Sequence, residues 1–316
     1  MFHYAKNQLD YTIGVTGDSG FLGTHLCKKL ESIGCNVKRC PHSKYNLVDK
    51  LSAKQWFIDQ KPEIVFHLAA KVGGIGANVN SAATFFYDNL QMGINLIELA
   101  NIYKVKKFIQ VGTVCSYPKF TEIPFKEENL WNGYPEETNA GYGIAKKTLL
   151  TMLEIYRKYY DFNGIYLLPA NLYGPYDNFS LDTSHVIPAL IRKIYELKDK
   201  NDVLECWGTG SATRDFLYVE DCVEALILAA IYYNNPEPLN IGTGVETSII
   251  ELVNKIFKIK EIIHPIEWNG KLDGQPRRVL DTSKAKEFIG FTSTTSLEEG
   301  LTQTIDWFLA NKKGNM

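Results

Sequence analysis

The chain lacks the features that mark several large classes of protein. Its six cysteines show no Cys-x-x-Cys spacing and no dense framework, so neither a disulfide scaffold nor a metal site is predicted. Cysteine used in this way favours a reducing compartment. The first ten residues have no basic-then-apolar signal pattern, and the longest apolar stretch, Ala225–Tyr233, is far too short to span a bilayer. The sequence therefore predicts a soluble cytoplasmic protein.

An excess of charge of one sign is also missing. The net charge is −2, and the chain contains no long basic run. Nucleic acids and anionic membranes attract clustered Lys and Arg, so neither is expected as a main partner. The 45% hydrophobic and 22% charged residues are ordinary for a globular protein, and 316 residues can form one large domain or two modest ones.

A glycine turn lies between an apolar run and an amphipathic segment near the N-terminus. The run Tyr11–Thr16 is followed by Gly17-Asp18-Ser19-Gly20-Phe21-Leu22-Gly23 and by a helical segment over Thr24–Ile33. In a dinucleotide-binding fold the first glycine permits a tight turn, the second lets the backbone approach phosphate, and the third lets helix and strand pack closely. The helix N-terminus then offers free N–H groups to the anion. Three ordinary loop glycines are the alternative interpretation.

Short β-type runs alternate with helical segments through the first half of the chain. Strands are expected at Val37–Arg39, Glu63–Leu68, Lys107–Gly112 and Gly164–Pro169, and helices at Ser52–Gln60, Ser81–Tyr103 and Gly141–Tyr160. Strands that alternate with helices form a parallel sheet covered on both faces. The predicted fold class is α/β, with a Rossmann-type doubly wound parallel sheet.

Past Asn171 the alternation loosens. Helices are expected from Val186 and from Val219, strands at Val203–Trp207 and Leu239–Gly242, and further helices at Thr247–Phe257 and Ser296–Leu309. Ser296 and Glu299 have the spacing of a capping box. No linker rich in Pro, Gly or Ser divides the chain. We expect a nucleotide-binding domain over 1–175, completed by pieces of sheet near 203–245, and a smaller C-terminal substrate-binding α/β lobe over 176–316.

Tyr142 and Lys146 stand four residues apart in an expected helix, so their side chains share one face. A free phenol has a pKa of about 10, and a nearby positive charge favours its ionised form. Tyr142 is therefore a candidate proton donor or acceptor near neutral pH. Such pairs are common by chance, but this one follows a glycine turn and a Gly112-Thr113-Val114-Cys115 strand end in the order of a nucleotide-binding site.

Thr113 follows the expected fourth central strand, where residues face the ligand crevice. Its hydroxyl can bond a substrate oxygen and, with Tyr142, hold a carbonyl ready for hydride transfer. A threonine that satisfies the local backbone is the alternative.

Further segments carry a family resemblance. They are His67-Leu68-Ala69-Ala70-Lys71-Val72-Gly73-Gly74-Ile75, Cys115-Ser116-Tyr117-Pro118-Lys119, Asn171-Leu172-Tyr173-Gly174-Pro175-Tyr176-Asp177-Asn178-Phe179, Ser184-His185-Val186-Ile187-Pro188-Ala189-Leu190, Trp207-Gly208-Thr209-Gly210 with Arg214, Asn240-Ile241-Gly242-Thr243-Gly244 and Asp273-Gly274-Gln275-Pro276-Arg277. With them the chain resembles the extended short-chain dehydrogenase/reductase superfamily and, within it, the GDP-L-fucose synthase family. The resemblance runs from about residue 11 to residue 310.

The resemblance implies catalytic roles for five residues. Thr113, Tyr142 and Lys146 match the reductase trio, with threonine where the family often has serine. Cys115 and His185 match an epimerisation base and acid. Hydrogens on carbons 3 and 5 of the sugar are α to a carbon-4 ketone, so a thiolate or an imidazole can exchange them through an enolate. Without the resemblance, a lone cysteine is usually a small apolar core residue and a lone histidine a structural one, so those alternatives stay open.

NADP is the implied cofactor. The residues expected to bind it are Gly17, Ser19, Gly20, Phe21, Leu22, Arg39, Leu68, Ala69, Ala70, Asn89, Tyr142, Lys146, Asn171 and His185. The end of the second strand, Lys38–Lys44, offers basic residues and no carboxylate, which suits the 2′-phosphate of NADP and disfavours NAD. The arginines that the family has in the glycine turn and after the second strand are absent here, where Asp18-Ser19 and His42 stand at those positions. Asp18 would repel a phosphate that it faced. For Asn89 the alternative is a helix-surface amide.

The expected partner is a GDP-sugar. The residues expected to bind it are Asn171, Arg192, Trp207, Arg214 and Arg277. Arg214 suits the diphosphate because a guanidinium forks onto phosphate oxygens. For Arg192 and Arg277 the alternative interpretation is a solvated position on the surface, as for most arginines.

The resemblance implies conversion of GDP-4-keto-6-deoxy-D-mannose to GDP-L-fucose, by 3,5-epimerisation and then hydride transfer to carbon 4. Alternatives are a pure 4-reductase of a related GDP-4-keto sugar or heptose, a redox-neutral nucleotide-sugar 4-epimerase, and a nucleotide-sensing module without turnover. The family also implies a homodimer built on the two long helices. Their apolar residues Phe85, Phe86, Leu90, Leu149, Leu150 and Leu153 suit that interface or the intrachain core.

Overall fold

The computed structural model describes residues 9–74, 81–199, 201–270 and 274–311. Ile75 and Asp273, each at one end of a family-like segment, lie outside the described residues. The strands are β1 (Thr12–Thr16), β2 (Asn36–Cys40), β3 (Ile64–His67), β4 (Lys107–Val111), β5 (Gly164–Pro169), β6 (Asn171–Tyr173), β7 (Leu204–Cys206), β8 (Thr213–Arg214), β9 (Phe216–Tyr218), β10 (Leu239–Ile241), β11 (Thr247–Ser248) and β12 (Ile266–Trp268).

The helices follow the same chain order. They are α1 (Phe21–Ser32), α2 (Lys50–Gln60), α3 (Ala82–Ile102), α4 (Ala140–Tyr160), α5 (Val186–Glu196), α6 (Val219–Tyr232), α7 (Ile249–Lys260), α8 (Ser283–Ile289) and α9 (Leu297–Asn311), with 3₁₀ turns at Val114–Ser116 and Glu127–Trp131. Within the described ranges, no helix combines the length and the hydropathy that a membrane span requires.

Six strands form the central sheet in the order β10-β5-β4-β3-β1-β2, and every neighbouring pair is parallel. β3, β4 and β5 are buried at every position, as expected for parallel strands covered on both faces. The chain runs from β1 to β2 in one direction and from β3 to β4 in the other, so right-handed crossovers place α1 and α3 on opposite faces. The Rossmann-type α/β fold class is confirmed.

The reversal of direction between β1 and β3 creates a topological switch point. Ligands of doubly wound sheets bind outside the carboxyl ends of the strands at this point. The glycine turn after β1 and the segment that begins at Leu68 after β3 meet there, and the backbone N–H of Leu68 donates to Thr16 O at 3.2 Å. Sheet order alone therefore brings the first two predicted cofactor-binding segments together.

A second cluster of buried side chains lies apart from the sheet core. It is built mainly from one face each of α5, α7 and α9, with residues of β7 and β9. The amphipathic pattern of α5 explains this packing, because Ile187, Leu190, Ile191 and Ile194 recur at helical spacing and are all buried. Where the two predicted domains divide stays a prediction.

Several predicted helix boundaries are shifted by two or three residues, and one of these shifts has a clear cause. The helix expected over Thr247–Phe257 begins only at Ile249, because Thr247 and Ser248 pair antiparallel with β8. Ser248 Oγ accepts from the Glu251 N–H, and the Glu251 side chain accepts from the Ser248 N–H, which forms a capping box. The spacing of Ser248 and Glu251 was therefore a capping-box signal in the sequence. The capping box predicted at Ser296 and Glu299 is also present in the structure.

The long helices α3 and α4 pack closely against each other within the chain. A Cβ on Gly93 would lie 2.1 Å from Leu149 Cδ1, so glycine allows this close approach, and a larger residue would displace the Leu149 side chain. Leu149, Leu150 and Leu153 are buried in the chain's own core, whereas Phe86 is 38% exposed. The apolar residues of these helices suited either a dimer interface or the intrachain core, and the three leucines belong to the intrachain core.

Candidate active site

A cavity of about 1200 Å³ opens at the switch point and extends to the second cluster. Its floor is formed by residues that follow β1, β3, β4 and β5, and its far wall by residues of β7, β8 and the start of α5. Drug-sized ligands occupy cavities of about 300–1,000 Å³. The volume and the two-sided lining are therefore suited to more than one small molecule, such as a dinucleotide and a nucleotide sugar.

The glycine turn fits a pyrophosphate at its backbone. Gly17 has φ +72, and a Cβ on Gly23 would lie 2.0 Å from Gly17 O, so the turn and α1 touch without side chains between them. A Cβ on Gly20 would meet only Gly17 O, at 3.2 Å, and otherwise project into open space. Since α1 begins at Phe21, its free N–H groups face the same part of the cavity. Ser19, Phe21 and Leu22 also line the cavity here.

Asp18 does not face the phosphate position. Its Oδ1 accepts from the Cys40 N–H at 3.0 Å, and its Oδ2 lies 3.9 Å from Arg39. The carboxylate is buried against the end of β2 and outside the cavity lining. Arg39 is also outside the lining, where it pairs with Glu31 at 2.8 Å. The basic residue after β2 that lines the cavity is His42.

Asn89 holds the backbone that follows β3. Leu68, Ala69 and Ala70 line the cavity, while Asn89 lies outside its lining and is 1% exposed. Its Oδ1 accepts from the Lys71 N–H at 2.9 Å, and its Nδ2 donates to Lys71 O at 2.8 Å and to Phe85 O. The buried side chain thus acts as a clamp on the backbone of this segment. Asn89 is not the helix-surface amide that was given as the alternative.

Tyr142 and Lys146 share a face of α4, as predicted, but their electrostatics differ from the prediction. Burial raises the pKa of the Tyr142 phenol, the Cys115 sulfur adds to the rise, and a hydrogen bond with Thr113 opposes it. Lys146 donates to Val111 O at 3.0 Å, and burial lowers its pKa to about 8. The expectation of a phenol brought toward neutral pH by the ammonium is wrong, because burial is the largest influence on the pKa of Tyr142 and raises it. Tyr142 is protonated here and ready to donate.

Cys115 lies beside Tyr142 in a rigidly held 3₁₀ turn. Its N–H donates to Thr113 Oγ1 at 3.1 Å, and a Cβ on Gly143 would lie 2.5 Å from Cys115 O. The Sγ lies 3.5 Å from a guanidinium nitrogen of Arg278. The three residues Thr113, Cys115 and Tyr142 all line the cavity.

His185 occupies the N-cap position of α5 on the opposite wall, and no backbone group is capped by its ring. The side chain is exposed to the cavity yet surrounded by protein. Burial lowers the pKa of His185, and the charge of Arg278 lowers it further. The ring is thus mostly neutral near pH 7 and is open to proton exchange with a bound molecule.

Two of the predicted substrate-binding arginines lie outside the cavity lining. Arg192 pairs with Glu196 at 2.8 Å, and Arg277 pairs with Glu246 at 2.6 Å. Asn171, Trp207 and Arg214 do line the cavity, and Trp207 is 61% exposed to it. Arg214 is held by the carbonyl oxygens of Thr213 and Gln275, both at 2.7 Å.

The neighbouring cations take the places of those two arginines. Lys193 and Arg278, one residue along the chain in each case, line the cavity. Neither residue was predicted, since only the helix phase of α5 and the path of the chain after Gln275 decide which side chain turns inward. The apolar pattern of α5 gave a usable signal, because Arg192 and Lys193 stand at different angles to its buried face.

This chain is similar in sequence to proteins of a known family. The model of the NAD dependent epimerase/dehydratase family matches residues 13–242. The GDP-L-fucose synthase of Sinorhizobium fredii is 40% identical over 305 residues, which is 96% of this chain and 97% of that protein.

Solved structures agree in fold. A GDP-6-OMe-4-keto-L-xylo-heptose reductase from C. jejuni is 27% identical with a TM-score of 0.89, covering 96% of this chain and 99% of that one. A GDP-L-fucose synthetase from Naegleria fowleri bound to NADP is also 27% identical, with a TM-score of 0.88 and 96% of both chains covered.

Proposed function

Because this chain belongs to the NAD dependent epimerase/dehydratase family, we propose that it converts GDP-4-keto-6-deoxy-D-mannose to GDP-L-fucose in an NADP-dependent 3,5-epimerisation and 4-reduction. One observation carries the proposal: the proton donor Tyr142, the thiol Cys115 and the imidazole His185 line a single cavity beside a dinucleotide cradle. The near full-length similarity to a GDP-L-fucose synthase supports the same substrate.

The cofactor fits the half of the cavity at the glycine turn. The pyrophosphate would lie at the N-terminus of α1 over Gly17 and Gly20, and the 2′-phosphate near His42, which lines the cavity where NAD enzymes place a carboxylate. The NADP in the Naegleria fowleri structure supports this choice. When bound, the nicotinamide supplies the hydride that reduces the carbon-4 ketone.

Tyr142, Thr113 and Lys146 handle the proton of the reduction. Tyr142 is protonated because burial raises its pKa, so the phenol can give its proton to the carbon-4 oxygen. Thr113, which is hydrogen-bonded to Tyr142, orients the phenol and the ketone oxygen. Lys146 carries its charge below about pH 8 and stabilises the phenolate that remains after the transfer.

Cys115 and His185 carry out the epimerisation in this proposal. A thiolate at Cys115 takes the proton from carbon 3 or 5, and the electron pair moves onto the carbon-4 oxygen as an enolate. Tyr142 donates a hydrogen bond to that oxygen, which stabilises the enolate. The protonated form of His185, at the start of α5 on the other wall, returns a proton from the opposite face and so inverts the carbon, which leaves the imidazole neutral.

Substrate binding belongs to the half of the cavity beside the second cluster. We assign the diphosphate to Arg214 and Lys193, and the sugar or base to Asn171 and Trp207. The division into a cofactor domain over 1–175 and a substrate lobe over 176–316 follows from that assignment, with 203–245 supplying the last strand of the sheet at β10.

A homodimer and a cytoplasmic location complete the proposal. Apolar side chains on the outer sides of α3 and α4 are exposed, among them Tyr87 at 60%, Ile155 at 49% and Tyr159 at 68%. A groove of about 350 Å³ lies along α4 between Trp131 and Tyr156. A partner copy would cover these residues. All six cysteines are free thiols, which supports a reducing compartment.

The test of the enzymatic function is NADPH consumption on GDP-4-keto-6-deoxy-D-mannose in deuterated water, with the product examined by NMR. The expected product is GDP-L-fucose with deuterium at carbons 3 and 5. An unlabelled, unepimerised 6-deoxy product would leave a pure 4-reductase, and the C. jejuni protein with the same fold is also named a reductase of a GDP-4-keto sugar. No oxidation of NADPH or NADH would refute the reductase.

A further inference from the structure

Arg278 is a buried cation for which the described residues provide no carboxylate partner. Its side chain is 6% exposed, and none of the ion pairs among residues 9–74, 81–199, 201–270 and 274–311 involves it. A buried charge without a counter-ion is costly, so such a group normally faces an anion. The guanidinium lines the cavity and lies 3.5 Å from Cys115 Sγ.

A relay of hydrogen bonds holds the guanidinium in this position. Arg278 Nε donates to Gln275 Oε1 at 3.1 Å, and Gln275 Nε2 donates to Pro118 O and Lys119 O, both at 3.1 Å. Gln275 is 2% exposed. The same relay therefore fixes Arg278 and the end of the segment that carries Cys115, so the cation and the sulfur keep their separation.

We propose that Arg278 is the counter-ion of the Cys115 thiolate and thereby positions and activates the base of the epimerisation. The inference rests on the proposed function. In the step, the C–H bond of the sugar breaks, an S–H bond forms, and the electron pair remains on the substrate as the enolate. Arg278 stabilises the charged sulfur before the transfer, as cations beside reactive cysteines do, and neither gains nor loses a proton itself.

The groups that face the sulfur determine the expected pH dependence. Tyr142 on α4 stays neutral, because burial raises its pKa. Arg278 faces Cys115 from the segment after Gly274, and its charge also lowers the pKa of His185 at the start of α5. Removing that charge raises the pKa of His185. The limb of the rate profile for exchange that depends on protonated His185 is then displaced toward alkaline pH.

The test measures deuterium exchange at carbons 3 and 5 of GDP-4-keto-6-deoxy-D-mannose by NMR, with NADP⁺ present so that no hydride is transferred. Arg278→Met removes the charge, Arg278→Lys keeps it, and Lys258→Met on the exposed side of α7 is the control for loss of a cation. Arg278→Met is expected to lower exchange at pH 7 by at least about tenfold, because the sulfur loses its counter-ion. It is also expected to displace the limb of the pH profile that depends on protonated His185 toward alkaline pH. Arg278→Lys restores the position of the profile.

Other outcomes would overturn the inference. A higher KM with unchanged kcat and an unmoved pH profile in Arg278→Met would mean that the guanidinium binds the sugar nucleotide instead. If Arg278→Met does not fold, as judged by circular dichroism, Arg278→Lys becomes the test. Exchange lowered by about tenfold in this variant, which keeps the charge, would count against charge as the cause. Absence of exchange in the wild-type enzyme would refute the proposed epimerase, whereas exchange that is normal in both variants would refute only the role of Arg278.

Discussion

The glycines of the turn after β1 have separable roles that two matched substitutions distinguish. In Gly23→Ala the new Cβ would lie 2.0 Å from Gly17 O, 2.7 Å from Gly17 C and 2.9 Å from Asp18 Cα. Carbon and oxygen in contact lie about 3.3 Å apart, so α1 and the turn must separate by roughly 1.3 Å. All three neighbours are backbone atoms, which cannot rotate away.

The energy follows from that displacement. Overpacking of this kind costs about 1–3 kcal/mol, and rigid backbone on both sides places Gly23→Ala at the upper end. Alanine in a helix is favoured over glycine by about 1 kcal/mol, which offsets part of the cost. We expect Gly23→Ala to lower the free energy of unfolding by about 2 kcal/mol and also to weaken NADPH binding, because the N-terminus of α1 is displaced.

Gly20→Ala is the matched control. Gly20 has φ −77 and ψ 176, which alanine adopts without strain, and its Cβ would approach only Gly17 O at 3.2 Å. Its methyl group would instead occupy the cavity at the predicted phosphate position. Stability is therefore expected to change by less than about 1 kcal/mol, while the Kd for NADPH rises at least about tenfold.

The assay combines urea denaturation without cofactor and NADPH titration by fluorescence. Gly23→Ala with wild-type stability would refute the argument from the close approach of helix and turn. Gly20→Ala with wild-type NADPH affinity would refute the placement of the pyrophosphate over this glycine, since a methyl group there could not be tolerated.

Four further substitutions probe the site. Tyr142→Phe is expected to lower kcat for NADPH oxidation by at least about 10²-fold while NADPH affinity is kept; stopped-flow reduction measures this, and near-normal turnover would point to another proton donor. Lys146 loses its charge as the pH rises through about 8, so the reduction rate should fall above that pH and Lys146→Met should be slow throughout; a wild-type rate that is flat to pH 10 would contradict this. Asn89→Leu removes the partner of the partly buried N–H and C=O of Lys71, at about 1 kcal/mol each, and calorimetry should show a lower Tm; an unchanged Tm would exclude the clamp. His42→Asp should reverse the preference between NADPH and NADH in kcat/KM, because a carboxylate repels the 2′-phosphate and accepts from the ribose hydroxyls; an unchanged ratio would place the phosphate elsewhere.

Local sequence patterns determined much of the architecture. β5 was predicted and is observed over Gly164–Pro169, because a continuous apolar run between turn residues suffices to define a buried parallel strand. The glycine turn, its flanking strand and helix, and the Ser296 capping box were likewise readable, since each depends on residues within a few positions of one another. The order of these patterns along the chain also predicted the doubly wound sheet.

Tertiary structure decided which side chains reach the cavity and how they ionise. Lys193 and Arg278 line it in place of Arg192 and Arg277, because the side chains of neighbouring residues point in different directions. The protonated state of Tyr142 follows from burial, which raises the pKa of the phenol and cannot be recognised from a Tyr-x-x-x-Lys spacing. Asn89 is a clamp and not a surface amide for the same reason: desolvation and partner geometry come from elements distant in sequence, and only the folded chain brings them together.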